Sequence, residues 1–350
     1  MKAIFLLILL PVMLSAQSIH SDKTGDELLS LLVQDYKPSQ VLTYAMARDT
    51  MYLNIYRNED NDVECHYSGH TVNLPDGVNP RFHLAMDGDA DGINTEHIYP
   101  QSKGAGSGNA RADMHHLVPT RWAVNAARSN YPFAEIDDDD TDRWFYKSDD
   151  LTEIPTLNID NYSERLNGAF GPGEFEPRES VKGDVARAVF YFYTMYQEVA
   201  DNEDSDFFSS MLPTLIDWHY LDPADPYELE VTMKKAEYQE GKPNPYILDC
   251  TLVSRAFGGD GSCETVSTDE LHDYGKPYVY PNPVHNAISI KGMNYDADQI
   301  KIFTIEGEHL QTINEIPYNW IDVSGYMDGQ YILSLYKEGT RIQSMKFVKW

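Results

Sequence analysis

The sequence predicts an α+β chain: an α-rich domain built around a ββα unit, followed by a small all-β sandwich. Three observations carry that expectation. Apolar residues recur at helical spacing through much of 25–250, and two short strand-like pieces near 94–118 run into a further helix. From about Tyr274 the texture changes to short alternating runs separated by regular turns. At 350 residues the chain has room for roughly two domains, each with its own core. Hydrophobic content of 42% with 24% charged residues describes a globular chain rather than a disordered one. The 27 basic and 56 acidic residues give a net charge of −29, which excludes a polybasic, histone-like grip on nucleic acid and leaves only a local basic site.

Taken in order, residues 1–16 carry Lys2, an apolar run from Ile4 to Leu10, and Leu14, Ser15 and Ala16. That is the pattern of a secretory signal peptide, too short to span about 30 Å of hydrocarbon. No later stretch approaches a membrane span, so the expectation is an exported chain without a transmembrane segment. Cys65, Cys250 and Cys263 match no zinc spacing, and their pairing stays open. Helical patterning covers 26–36, then 38–48 opened by Pro38 and Ser39, and later 182–197, 206–218 and 226–240. Strand-like pieces fall at 62–67 and around 94–118. Residues 135–153 hold nine acids against Arg143 and Lys147 and read as a solvated acidic loop. Asp87, Asp89, Asp91 and Gly92 imitate the start of a calcium loop, but Ile98 stands where its bidentate Glu belongs.

The chemistry gathers in 94–133. Asn94-Thr95-Glu96-His97-Ile98-Tyr99-Pro100 comes first, then Asp113-Met114-His115-His116-Leu117-Val118-Pro119, then Asn125-Ala126-Ala127-Arg128-Ser129-Asn130. From His97 to Tyr131, Lys103, Arg111, Arg121 and Arg128 stand against Asp113 alone, a local net charge of +3 suited to a polyanion. The order predicts a strand ending near Glu96–His97, a second near His116–Val118, and a helix capped by Thr120. Arg121, Asn125 and Arg128 then share one helix face at i, i+4 and i+7. A strand carboxylate and a helix amide oxygen are hard donors for a divalent cation, with an imidazole standing beside them.

At these residues the chain resembles the endonuclease I family of ββα-metal (His-Me finger) nucleases. Lys182-Gly183-Asp184-x-Ala186-Arg187-Ala188-x-Phe190-Tyr191 and Gly241-x-x-Asn244-Pro245-Tyr246 extend the likeness, and Tyr67-Ser68-Gly69 fits more weakly. The resemblance implies a secreted, non-specific endonuclease of DNA and RNA with 5′-phosphate products. Glu96 and Asn125 would hold one Mg²⁺, or another divalent cation such as Mn²⁺ or Ca²⁺, and His97 would be the general base. Some members carry a phosphate-stabilising arginine in a longer, cysteine-containing insertion after the Glu-His. Only Lys103–Arg111 stands there, which leaves Arg111 and Arg128 as candidates. Arg121, Arg187 and His116 are candidate substrate contacts, Arg187 being either that or half of an ion pair. Two other readings stay open: a zinc hydrolase using His97, His115 and His116, and a non-catalytic calcium- or nucleic-acid-binding surface protein.

Past the catalytic region the turn signals Glu306-Gly307, Asp328-Gly329 and Glu338-Gly339 separate period-two runs. Tyr280-Pro281-Asn282-Pro283, Gly329-Gln330-Tyr331-Ile332-Leu333 and a Lys-containing last strand resemble the C-terminal sorting domain of the type IX secretion system. The expected organisation is a signal peptide (1–16), a catalytic domain (17–250), a linker (251–273) and a sorting domain (274–350) of a monomer. The tail would address the protein to the secretion machinery and place it outside the cell or on the outer-membrane surface.

Overall fold

In the computed structural model the described residues are 18–168, 173–259, 261, 278–280, 284, 286–291, 297–305, 307–314, 321–337 and 339–349. The expected signal peptide, Cys263, most of the expected linker and Pro281–Pro283 lie outside them. Among the described residues no helix is long and apolar enough to cross a membrane.

The first part is α-rich. Helix α1 (Gly25–Tyr36) buries Leu28 and Leu32 on one face, as period 3.6 requires. Helix α2 begins later than expected: it runs Tyr44–Thr50, with the Thr43 hydroxyl accepting from the Met46 amide, and continues as a π-helical segment Met51–Tyr56. Pro38 and Ser39 therefore precede the helix rather than open it. Strands β1 (Asp62–Glu64) and β2 (Thr71–Asn73) pair antiparallel, and α3 (Pro80–Leu84) is capped by Asn79.

The ββα unit follows. Strand β3 (Ile93–His97) pairs antiparallel with β4 (Leu117–Arg121), Ile93 opposite Arg121 and His97 opposite Leu117. Helix α4 (Gly108–Ala112) lies in the connection, and α5 (Trp122–Arg128) leaves β4 directly. The start of α5 is tied down by Trp122 and Ala123 amides donating to the Gly92 and Ala90 carbonyls. Arg121 is the N-cap residue and Thr120 sits inside β4. The expected Thr120 cap is thus one residue early, and Arg121 belongs to the strand rather than to the helix face of Asn125 and Arg128.

Strands β5 (Arg143–Tyr146), β6 (Asp149–Leu151), β7 (Ser163–Leu166) and β8 (Glu174–Glu176) form a four-stranded antiparallel sheet in the order β6-β5-β7-β8. Part of the expected acidic loop is therefore sheet. Helix α6 (Lys182–Asp204) is buried nearly all round up to Tyr196 because that part runs through the core, with Val185, Val189, Phe190 and Phe192 all buried. Around it lie α7 (Phe207–Leu221), α8 (Pro226–Glu237), α9 (Pro245–Leu248) and α10 (Thr251–Phe257). Helix α10 falls within the expected linker, yet Leu252 and Val253 are buried in the same core as Leu28 and Phe190. Cys250 is disulfide-bonded, and Cys65 is a buried free thiol.

The C-terminal part is all β. Strands β9 (Tyr278–Tyr280), β10 (Ala287–Lys291) and β13 (Ile321–Asp322) make one sheet, in the order β13-β10-β9. The other sheet contains β11 (Gln299–Thr304), β12 (His309–Ile313), β14 (Gly329–Lys337) and β15 (Thr340–Lys349), in the order β12-β11-β14-β15. Alternate residues such as Ile300, Ile302, Leu333 and Leu335 fill a second core, separate from the first. The α+β expectation holds for the whole chain.

Candidate active site

Strand alternation sorts the residues of β3 onto two faces. Glu96 meets Tyr67 and Arg128 on one: the Tyr67 hydroxyl donates to Oε1 at 3.3 Å, and Arg128 Nε lies 3.2 Å from the same oxygen. Oε2 takes neither contact. The carboxyl is 3% exposed, and burial pushes its pKa up to about 7 against the pull of Arg128 and Tyr67. A hard cation is a natural counter-charge for such a group.

His97 serves the other face. Its ring lies 5.3 Å from that of Tyr44 and 5.4 Å from that of His116. Nε2 is 3.0 Å from the Arg111 carbonyl oxygen. A carbonyl only accepts, so Nε2 carries the proton and Nδ1 keeps its lone pair. Burial, aided by the nearby cations, lowers the pKa to about 3, so the ring is neutral at any physiological pH.

Asn125 reaches back to β3 from α5. Its Nδ2 donates to Asn94 Oδ1 at 2.7 Å and to the Thr95 carbonyl at 3.3 Å. With the nitrogen held there, Oδ1 meets no donor among the described residues. Glu96 and Asn125 thus each retain an oxygen of the kind that a divalent cation takes, so the donor set fits such an ion.

The other candidate residues are placed differently. Arg128 is fully buried: its Nε is in ion-pair range of Glu96 without a hydrogen bond, and its terminal nitrogens donate to the Ile98 carbonyl at 2.7 Å and the Ser129 carbonyl at 3.2 Å. It positions the site and has no donor face toward a substrate. Arg121 pairs with Asp91 at 2.6 Å, which also takes Asp91 out of any calcium loop. Arg187 is fully buried in a two-pronged pair with Glu228, at 2.8 and 2.7 Å, and binds the Asp222 carbonyl. Its partner settles the choice in favour of an ion pair. His116 is fully buried with Nε2 on the Ala110 carbonyl at 2.7 Å, so it braces the unit and cannot contact substrate. Lys103 pairs with Asp204 at 2.6 Å. The expected +3 patch therefore shrinks to Arg111, which is exposed and has no carboxylate partner among the described residues.

The three-histidine zinc reading finds no support in geometry: among the described residues the nitrogens of His97, His115 and His116 do not come together at metal-like spacing. A second acidic group, Glu135, Glu176 and Glu179, has metal-like spacing, but the Lys182 ammonium already stands in it at 2.7–2.9 Å. It is an internal ion network. Asp113 is likewise structural, accepting from the Tyr191 and Tyr196 hydroxyls and from Gln239.

Two residues of the site carried no signal in the sequence. Tyr44 and Arg48 share a face of α2 at i, i+4. Arg48 lies over the Tyr44 ring at 4.3 Å, and Arg111 lies over the same ring at 4.4 Å. Only their distance from the Glu-His strand hid them.

Residues 20–250 match the model of the Endonuclease I family, and residues 278–349 match that of a secretion system C-terminal sorting domain. An extracellular ribonuclease of Bacillus subtilis is 26% identical over 237 residues, 64% of this chain and 72% of that protein. Another, from Bacillus amyloliquefaciens, is 29% identical over 170 residues, 44% of this chain and 50% of that one. A solved structure of PorZ, a surface component of the type IX secretion system of Porphyromonas gingivalis, gives a TM-score of 0.18 at 20% identity, covering 25% of this chain and 12% of that one. That likeness is too slight to inform the fold. The first family match takes in every residue of the Glu96–His97–Asn125 site, and the second marks the chain for type IX secretion. The chain belongs to the endonuclease I family: it is a secreted nuclease, a hydrolase of phosphodiester bonds.

Proposed function

We propose that the chain is a divalent-metal-dependent endonuclease of DNA and RNA, with His97 as general base and Glu96 and Asn125 as ligands of one Mg²⁺. The observation that carries this reading is the His97 tautomer, with Nε2–H spent on the Arg111 carbonyl and Nδ1 bare in a neutral ring. Such a nitrogen is free to take the proton from water, and the negative charge of an arriving phosphate raises the pKa that burial lowers in the empty site. The water oxygen then bonds to phosphorus in line with the 3′ oxygen, the P–O3′ bond breaks, and the 3′ oxygen takes a proton from solvent. The products are a 5′-phosphate and a 3′-hydroxyl. Bound at Glu96 and Asn125, the cation supplies charge neutralisation to the phosphoryl and leaving oxygens. Arg128 and Tyr67 hold Glu96, and Asn94 and the Thr95 carbonyl hold Asn125, so both ligands are oriented before substrate arrives.

Likeness to two extracellular ribonucleases of Bacillus supports RNA as a substrate. A site that grips backbone phosphate is indifferent to base sequence, which supports DNA as well. Residues 1–16 would be removed on export, and the sorting domain would hand the protein to the type IX machinery.

The test is plasmid and total RNA incubated with the purified protein, in Mg²⁺ or in EDTA, beside His97→Ala. Cleavage that needs metal and drops by about 10²–10⁴-fold in the variant is expected, with oligonucleotide binding nearly intact. Intact nucleic acid in every lane would overturn the reading, and undiminished cleavage by His97→Ala would remove the base.

A further inference from the structure

We propose that Arg48, acting beside Arg111, holds substrate phosphate in this active site. The inference deepens the nuclease reading above and rests on it. Arg48 comes from α2, well before the Glu-His strand. Its guanidinium lies 4.3 Å from the centre of the Tyr44 ring, Arg111 lies 4.4 Å from that centre, and the same ring lies 5.3 Å from His97. Both cations are therefore one aromatic ring away from the proposed base.

Neither is neutralised. The carboxylates around them are already committed: Asp49, next to Arg48 in the chain, pairs with Arg81 at 2.7 Å, and Glu96 pairs with Arg128. Among the described residues no carboxylate reaches Arg48 or Arg111. Arg48 Nε is moreover buried with no hydrogen-bond partner. An orphaned buried donor on Arg48 raises the free energy of the free protein. An incoming anion would give that guanidinium the acceptor it lacks. A guanidinium meets phosphate oxygens with paired N–H donors, which makes a phosphodiester the fitting ligand. Tyr44 is the platform that fixes both forks, and the Arg111 backbone carbonyl sets the His97 tautomer. One residue of α4 thereby ties the clamp to the base.

The test compares the full chain with Arg48→Met and Arg48→Lys. Binding of a fluorescein-labelled oligothymidylate is measured in EDTA across a salt series, turnover on plasmid in Mg²⁺, and thermal unfolding without ligand. For Arg48→Met the expectation is a slope of log K against log salt that is shallower by about 0.7. Turnover should fall about 100-fold, and the melting temperature should be unchanged or higher. Arg48→Lys should keep the slope. A wild-type slope and wild-type turnover in Arg48→Met would overturn the proposal. So would a lowered melting temperature with an unchanged slope, which is the signature of a merely structural cation–π contact. A wild-type chain that binds with the expected slope but never cleaves would instead remove the nuclease mechanism and leave the clamp standing.

Discussion

Arg128 is fully buried and pairs with Glu96, so its replacement acts through Glu96 rather than on substrate. Arg128→Met leaves the Glu96 carboxyl buried beside Tyr67 without its cation and orphans the Ile98 carbonyl. Breaking a buried pair from one side costs about 3–5 kcal/mol, to be read in chemical denaturation. An unchanged midpoint would mean that solvent or a metal already serves Glu96. Arg187→Met is its counterpart in the second motif, because Glu228 is equally buried and has Arg187 on both oxygens. The motif residues Arg128 and Arg187 are thus both explained by folding, while Arg111 and Arg48 remain available for chemistry. Sequence likeness identifies all motif residues alike. Burial separates those that hold the site from those that touch what enters it.

At the scale of elements, the ββα unit is positioned by strand pairing and by the entry of α6. A methyl group at Gly183 would stand 1.8 Å from the Asp222 carbonyl oxygen, so the first turn of α6 and the end of α7 come together only over glycine. Gly183→Ala should cost about 3 kcal/mol or more, visible as a lowered melting temperature. An unchanged melting temperature would show that this approach is not needed. Helix α10 supports a second expectation. It buries Leu252 and Val253, and Arg255 binds the carbonyls of Ile19 and His20. Truncation after residue 250 should therefore destabilise the nuclease part by about 3–5 kcal/mol relative to truncation after residue 259, from the lost apolar burial. Both cuts remove Cys263, so the comparison isolates the helix. Equal stability of the two would return 251–257 to the linker.

Over the whole molecule, buried titratable groups set the response to pH. Burial lowers His66 and His219 to about 3 and His115 to about 4. A histidine whose folded pKa is depressed contributes stability that is complete above its unfolded value near 6.5 and is lost as pH falls toward the folded value. Burial raises Glu164 to about 8, and raises Glu176 and Asp225 to about 7. These carboxyls work the other way, and their contribution is complete once pH falls below the unfolded value of about 4. The two sets oppose each other from about pH 7 to 4, and below that only the histidine loss remains. The melting temperature should hold through mild acid and then drop steeply below about pH 4. A plateau down to pH 3 would show that these histidines are not buried as neutral rings.

Much of this protein was legible because it is local. The signals for β3, β4, the long α6 and the alternating tail repeat over a few residues, and adjacent Glu96 and His97 with Asn125 on the following helix stand within one short segment. The sheet β5–β8 was hidden because its strands are three or four residues long and rich in acids, and because Glu164 and Glu176 face inward instead of into water. Charge pairing was hidden for a different reason. Lys103 meets Asp204 across 101 residues and Arg187 meets Glu228 across 41, so a local count of cations overstates the field that a substrate meets. The sequence by itself determined the fold class, the ββα unit and the chemical types available for hydrolysis, since these follow from periodicity and from adjacent residues. Only the tertiary structure decided which cations stay unpaired, which imidazole nitrogen keeps its lone pair and that Arg48 and Arg111 share the Tyr44 ring, because burial and pairing are properties of what the folded chain brings together.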